Sequence, residues 1–214
     1  ELAFELVNLG DGLTTVAYVS RSAGQTYVRS EAAGIDERTV VLFTSDNGPW
    51  LIFGDHGGSA GPLEGGKKQT LEGGMRVPMI VRWPGRVPQG RVSDKVVTAL
   101  DLAPTLLAMT GVTKKIDGVD GRDVSDLMLG RGEAALPDAP FFYFWERELR
   151  AVRQGRWKLQ LEHIDAQTPD PEGIGHGGVR GQVTNVARSQ ALYDLTIDSD
   201  ETNDLSNRYP DRVR

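Results

Sequence analysis

The chain of 214 residues contains no cysteine. Disulfides are therefore excluded, but no compartment is fixed, because an oxidising compartment permits disulfides without requiring them. No apolar run approaches the roughly 20 residues that a membrane-spanning helix needs. Nor is there an excess of positive charge: 24 Lys and Arg stand against 30 Asp and Glu, a net charge of −6. That balance argues against general nucleic-acid binding and against attachment to an anionic membrane surface, while leaving room for a locally basic anion pocket. Histidine is scarce, at three residues. His163 and His176 match no zinc-binding spacing and have no cysteine to support them, so both read as loop histidines without a metal role. No internal repeat is evident. The length suffices for a sizeable core, as one domain with a small second one.

What is present concentrates in Thr39–Gly74. Thr39 to Thr44 (TVVLFT) is a short β-branched and apolar run without alternation, the pattern of a strand covered on both faces in a parallel sheet. Ser45-Asp46-Asn47-Gly48 follows at once and so sits just past the strand's carboxyl end, where open α/β sheets bind ligands. The Asp46 carboxylate and the Asn47 amide carbonyl are hard oxygen donors, suited to Ca²⁺ or Mg²⁺ rather than to zinc or copper, and they supply part of a coordination shell. The same four residues also suit a plain turn. Eight of the 21 residues from Gly54 to Gly74 are glycine, and Lys67 and Lys68 lie among them. Glycine lets backbone N–H groups approach an anion, and lysine adds a compact positive charge, so an oxyanion could be held between metal and lysine. The run is not a P-loop: Lys68 stands where Ser or Thr is required, and no strand leads directly into it. His56, in Gly-Asp-His-Gly, could touch substrate or serve structure alone.

Along the rest of the chain, Leu13–Val19 reads as a strand, and Arg29–Gly34 as a last helical turn with Gly34 as its stop. Val77–Trp83 reads as another sheet strand, with Arg76 and Arg82 solvated or salt-bridged. Glu72 is open between ordering the Lys67 loop and lying on the surface. Val92–Leu100 reads as a strand leading into a helix with Asp101 as N-cap, Pro104 in its first turn and Gly111 as its stop. Leu102, Thr105, Leu106 and Met109 recur on the helix's core face. A short helical piece is expected around Ser125–Leu129. After Pro137-Asp-Ala-Pro140, Phe141–Trp145, Leu149–Arg153 and Arg156–Leu161 suggest a small antiparallel sheet, with Trp157, Leu159 and Leu161 alternating on its packing face. Glu162–Gln190, with five glycines and few large apolar residues, reads as a long surface loop. Tyr193–Leu195 reads as a closing strand, followed by an Asx-rich turn around Asp198, Asp200, Asn203 and Asp204 and a terminal helix.

FTSDNGPW, GDHGGSAGPLEGGK, LEGGMRVPMIVRWPG and ALDLAPTLLAMTGV, in this order and spacing, resemble the later part of arylsulfatase-type sulfatases of the alkaline phosphatase-like superfamily, most specifically from Gly34 to Gly121. The resemblance implies an α/β fold, part of an alkaline phosphatase-like mixed sheet flanked by helices, with a small C-terminal antiparallel sheet subdomain. It divides the chain into 1–137, the later part of the large domain, and 138–214, the small subdomain. It implies that Asp46 and Asn47 are ligands of Ca²⁺, with Mg²⁺ as the other hard cation. It further implies that Lys67 contacts the sulfate group, and that Lys68 falls where the family more often has glycine. The family's nucleophile is a formylglycine made from Cys or Ser in a Cys/Ser-x-Pro-x-Arg motif, and this chain has neither form. The polypeptide therefore reads as the carboxyl-terminal half of a sulfatase, a sulfuric ester hydrolase, expected to be inactive by itself. The implied partner is a small-molecule or glycan sulfate ester, and the implied location is periplasmic or extracellular. Two other readings suit the same residues: a phosphatase or phosphodiesterase of the superfamily, or a non-catalytic module binding cations or sulfated glycans through Glu162–Gln190.

Overall fold

The computed structural model describes residues 34–112, 116–132 and 139–214. Before Gly34 it describes the backbone of five short strands only: β1 (Leu2–Ala3), β2 (Val7–Asn8), β3 (Thr14–Thr15), β4 (Tyr18–Ser22) and β5 (Gln25–Tyr27). These pair antiparallel, β1 with β4, β4 with β5, and β2 with β3. Leu13–Val19, expected as one strand, falls on β3 and the start of β4, with its other residues outside the described ones. The expected helical turn before Gly34 lies outside them as well. The chain divides into two compact units, Glu1–Phe43 with Met79–Leu136, and Thr44–Pro78 with Pro137–Arg214.

In the first unit, except for Thr44 at its end, β6 (Val41–Thr44) forms a two-stranded sheet with β7 (Met79–Arg82). Val40, Trp83, Met109, Val124 and Met128 make the buried core, with Val81, Leu102 and Leu106 packed against it. The Trp83 indole N–H donates to the Glu37 carbonyl at 2.9 Å, and Arg82 forms a two-point ion pair with Asp36 at 2.5 and 2.7 Å. Along β6 burial falls off toward the carboxyl end: Val41 is buried, whereas Phe43 is 46% exposed. The expected covering of both faces therefore holds for its first residues and not for its last.

The helix α2 (Ala99–Thr110) buries Thr105 and Met109 and half-buries Leu102 and Leu106, the face that the helical spacing predicts. Two details differ from the sequence reading. No strand precedes the helix, and Val92 is 88% exposed, so a β-branched segment without a pairing neighbour stays irregular. The N-cap is Thr98 rather than Asp101, and Asp101 is the third helical residue of a capping box. Pro104 consequently lies in the second turn, not the first. Its missing N–H leaves the Leu100 carbonyl without a helical partner. That carbonyl faces Gly121 so closely that a Cβ there would stand 1.9 Å away. Gly111, with φ +77°, ends the helix, and the Val112 N–H reaches back to the Leu107 carbonyl. The short helix α3 (Ser125–Met128) follows.

In the second unit, β8 (Phe141–Trp145), β9 (Glu148–Gln154), β10 (Trp157–Gln160) and β13 (Ala191–Asp194) form an antiparallel sheet in the order β13-β10-β9-β8. Gly155, with φ +57°, makes the tight turn between β9 and β10. The alternation in β10 is as expected, but its faces are exchanged. Lys158 and Gln160 are buried, and Trp157 and Leu159 are half-buried. Trp157 instead packs edge-on against Tyr209, with the Arg212 guanidinium over its ring.

Glu162–Gln190, expected as a long surface loop, is largely paired instead. Residues 163–169 and 183–188 form a two-stranded ribbon, β11 (His163–Pro169) and β12 (Val183–Arg188), with a bulge between Asp165 and Thr168. Its buried side chains include His163 and Asp165, so the apolar alternation that signals a strand is absent from it. The glycines belong to the tip, where the N–H groups of Gly175 and Gly181 both donate to the Ile52 carbonyl. The Asx-rich turn is present: Asp198 accepts from the N–H groups of Thr202 and Asn203, and Asp204 from those of Leu192 and Ser206. The terminal helix is short, α4 (Pro210–Val213).

Candidate functional site

The second unit contains every residue singled out for chemistry. Ser45–Gly48 forms a bend directly after β6. The Ser45 hydroxyl donates to the Asn47 carbonyl at 2.8 Å and shapes the bend. Gly48 seats it: the Gly48 N–H donates to the Gly74 carbonyl at 2.9 Å, and a Cβ at Gly48 would stand 1.8 Å from the Gly73 carbonyl oxygen. No other residue type fits there without displacing backbone.

The lysine loop is built on the same support. The Lys67 N–H donates to the Pro49 carbonyl at 2.7 Å, and the Gly73 N–H to the Glu64 carbonyl at 2.7 Å. Gly66 is pressed against Pro49, and Gly74 against the carbonyls of Gln69 and Gly66. Glycine density here thus serves close backbone packing as much as anion approach. Lys67 Nζ ends 3.9 Å from Asp46 Oδ2, with the lysine side chain one-third exposed and the aspartate mostly exposed. The ammonium also stands 5.1 Å from the centre of the Trp50 ring, a cation–π contact that holds the side chain over a flat apolar face. Lys68 is 5.7 Å from the same ring and has φ +75°. That left-handed backbone suits glycine, the residue that the resemblance places there.

His56 closes a short 3₁₀ turn, Leu51–His56, and is exposed. His163, by contrast, is buried, with Nδ1 2.8 Å from the Leu161 carbonyl. His176 lies at the ribbon tip, bridged to Val179.

Beneath the loop lies a buried charge network. Glu72 opens the short helix α1 (Glu72–Met75) and is fully buried. Its Oε1 accepts from the Tyr143 hydroxyl at 2.8 Å and lies 3.2 Å from Lys158 Nζ, and its Oε2 is 2.9 Å from Arg153. Lys158, equally buried, also donates to the Thr70 carbonyl at 2.9 Å and lies 2.8 Å from Glu201 Oε1. Glu201 Oε2 accepts the Glu72 N–H at 2.6 Å. Burial alone would raise the pKa of Glu72, but Lys158, Arg153 and the Tyr143 hydroxyl outweigh it, and the carboxyl is held below the usual glutamate range. Burial wins at Glu201, which is raised despite Lys158. Tyr143 is raised by burial and by the neighbouring Glu72 carboxylate. Glu72 thus takes the ordering role and not the surface one. Its partners escaped sequence reasoning, because Lys158 sits in a Trp-Lys-Leu-Gln alternation in which the apolar residues mark the other face as the buried one.

A second strut holds the loop. The Gln69 amide oxygen accepts the Gly66 N–H at 2.9 Å, while its nitrogen donates to Asp165 Oδ2 at 2.6 Å and faces Thr168 at 3.3 Å.

Among the described residues, no three His, Cys, Asp or Glu side chains gather to hold a metal ion. Asp46 and Asn47 nevertheless fit part of a hard-cation shell. One offers an exposed carboxylate, the other an amide oxygen, and both follow a strand end on a bend fixed by Gly48. The Lys67 ammonium stands beside them, 3.9 Å from Asp46 Oδ2.

Residues 8–112 match the family model described as Sulfatase, and residues 66–167 match the one described as N-sulphoglucosamine sulphohydrolase, C-terminal. The N-acetylgalactosamine-6-sulfatase of Canis lupus familiaris is 43% identical over 148 residues, which is 68% of this chain and 28% of that protein. Arylsulfatase A of Homo sapiens is 35% identical over 180 residues, 80% of this chain and 34% of that protein. Among solved structures, Ps i-CgsB in complex with k-i-k-neocarrahexaose is 26% identical with a TM-score of 0.65, covering 86% of this chain and 36% of that one. The fold is accordingly part of the alkaline phosphatase-like α/β fold, with its small extra sheet. This chain spans about a quarter to a third of the length of the curated relatives it matches.

Proposed function

Because this chain belongs to the sulfatase family, we propose that its residues serve the hydrolysis of sulfate esters by binding the sulfuryl oxygens between a cation and Lys67. The observation that carries this reading is the placement of Lys67 Nζ 3.9 Å from Asp46 Oδ2, on a loop fixed from below. Asp46 and Asn47 would hold Ca²⁺, with Mg²⁺ the other hard cation suited to their oxygens. When bound, the cation supplies charge stabilisation at the sulfuryl oxygens. Lys67 adds a preorganised positive contact to the same oxygens, and Trp50 limits where that ammonium can stand. His56, exposed beside this region, is a candidate for contact with the rest of the substrate.

The substrate class that we propose is a sulfated sugar. The name of the canine relative specifies a sulfated N-acetylgalactosamine, and that relative shares two-fifths of its aligned residues with this chain. The proposal assigns no nucleophile within residues 1–214, because they contain no Cys or Ser-x-Pro-x-Arg from which formylglycine could form. These residues by themselves are expected to hydrolyse no sulfate ester. Among the described residues no helix is long and apolar enough to cross a membrane. A periplasmic or extracellular location is proposed from the family resemblance.

Calcium and inorganic sulfate titrations of the chain, with matching rate measurements in a full-length homologous enzyme, test the assignment. Asp46→Ala is expected to abolish calcium binding and Lys67→Ala to weaken sulfate binding. Unchanged binding and rates in both variants would defeat it.

A further inference from the structure

Lys158 donates from one buried ammonium to the Thr70 carbonyl at 2.9 Å and to Glu72 Oε1 at 3.2 Å, and it forms an ion pair with Glu201 Oε1 at 2.8 Å. Two donors of the ammonium are thereby used, and its charge is shared between two carboxylates. Its side chain is 1% exposed, and the charge also lies 4.4 Å from the centre of the Tyr143 ring. An ammonium taken out of water costs several kcal/mol unless its partners are well placed, so a lysine here has to be matched by the geometry around it. That geometry belongs to the segment carrying Lys67. Thr70 is three residues after Lys67, and Glu72 opens the helix that closes the loop.

We propose that Lys158 is a positioning residue for Lys67, fixing the height and direction of the 67–72 arch so that the Lys67 ammonium stands at the anion site. Sheet strand β10 is the anchor, the Thr70 carbonyl is the point of attachment, and the two carboxylates neutralise the strut. Arg153 bonds Glu72 from the other side at 2.9 Å and so keeps the helix end in place when Lys158 is removed. Loss of Lys158 therefore releases the Thr70 end specifically. It also leaves Glu201 Oε1 without the cation beside it, while Glu72 keeps Arg153. The loop is then held by the Gln69 strut to Asp165 and by the Lys67 N–H bond to the Pro49 carbonyl.

The proposal rests on the reading of Lys67 as an oxyanion contact, and the test separates the two. Lys158→Met, Glu201→Gln and Lys67→Ala are compared in the full chain by titration with inorganic sulfate and by amide hydrogen exchange. Lys158→Met is expected to weaken sulfate binding about tenfold, the equivalent of one charge-assisted contact, and to speed exchange in residues 64–75 while 141–154 stays as in the parent. Glu201→Gln keeps side-chain volume and should show the same pattern at smaller amplitude, which keeps the test available if Lys158→Met does not fold. Exchange at 64–75 within about twofold of the parent in the folded variants overturns the proposal, since tenfold is the size of effect one such bond carries. A uniform rise that includes 141–154 also overturns it, by reducing Lys158 to a general packing role. If Lys67→Ala leaves sulfate binding unchanged, the oxyanion reading fails, and the exchange result still decides whether Lys158 holds the arch.

Discussion

Gly48 donates its N–H to the Gly74 carbonyl at 2.9 Å, joining the bend that carries Asp46 and Asn47 to the helix end that follows Glu72. The two stretches are separated by the whole lysine loop, so this one bond and the Gly73 carbonyl beside it set the spacing between the candidate cation ligands and the loop's support. A methyl group at Gly48 would stand 1.8 Å from the Gly73 oxygen and 2.9 Å from the Gly74 Cα. Both neighbours are backbone and cannot rotate away. Gly48→Ala is therefore expected to cost about 1–3 kcal/mol, the range for overpacking, and to lower calcium affinity although no ligand is altered. Urea unfolding and a calcium titration read the two effects. A variant as stable as the parent would show that the bend can lift off the helix at no cost.

Asp165 supports the lysine loop from the ribbon. Its Oδ2 accepts from Gln69 at 2.6 Å and lies 3.7 Å from Arg188. Gln69 and Asp165 are both buried, so Asp165→Ala leaves the Gln69 amide with a weaker contact to Thr168 at 3.3 Å. The expected loss is about 1–3 kcal/mol, the cost of leaving a buried polar group short of a partner. Asp165→Asn retains an oxygen and should lose less. Equal stability of Asp165→Ala and the parent would show that Thr168 or solvent satisfies Gln69 fully.

These supports also mark where the sequence was legible and where it was not. Asp46, Asn47 and Lys67 could be picked out because residues of a recognisable local pattern bear them. Helix α2 could be read because Leu102, Thr105, Leu106 and Met109 are close in sequence and periodic. The hairpin β9–β10 could be read because it alternates around Gln154-Gly155. Lys158 and Glu72 are 86 residues apart, and nothing local in Trp-Lys-Leu-Gln says that the lysine is the buried member. The ribbon β11–β12 was hidden for a related reason: its buried residues His163 and Asp165 are polar, so burial is supported by hydrogen bonds and not by apolar area. The helix is capped three residues before the position that the sequence suggests, because Thr98 and Asp101 are both good cap formers and only the structure shows which of them precedes the first turn.

Asp101 gives a prediction of its own. Its Oδ2 accepts the Thr98 N–H at 2.9 Å, the reciprocal half of the capping box, and its Oδ1 accepts the Arg122 N–H at 2.7 Å. The Arg122 guanidinium lies 3.3 Å from Oδ2. Asp101→Ala removes the reciprocal half of the capping box, and it also leaves the half-buried Arg122 N–H without this acceptor. A loss of about 2–3 kcal/mol is expected, more than the roughly 1 kcal/mol of a surface cap. Asp101→Asn keeps one acceptor oxygen and should fall between the two. If Asp101→Ala costs no more than an ordinary cap, the Arg122 bonds contribute nothing.

Stability should vary with pH in two opposite ways. At Asp101, Asp198 and Asp204 burial would raise the pKa, but backbone N–H groups outweigh it, and the carboxyls are held below their ordinary 3.8. Glu72 is likewise held below 4.5, there by Lys158 and Arg153 against burial. A carboxyl with a lowered folded-state pKa contributes stability that is complete above its unfolded value and disappears as pH falls through the folded one. Glu201 has the reverse sign: burial raises it above 4.5, so its ionised form is disfavoured in the folded chain, and stability is regained as pH falls through its folded pKa toward 4.5. Each such carboxyl changes stability by at most about 1.4 kcal/mol per pH unit. The unfolding free energy should therefore rise on acidification from the Glu201 range down to about 4.5, and then fall, below about 4.5 for Glu72 and below about 3.8 for the three aspartates, as these carboxyls take up protons. Urea unfolding at a series of pH values traces the profile, and Glu201→Gln isolates its upper limb. In that variant the acid-side rise should vanish while the fall below 3.8 remains. A rise that persists in Glu201→Gln would place its origin in another group.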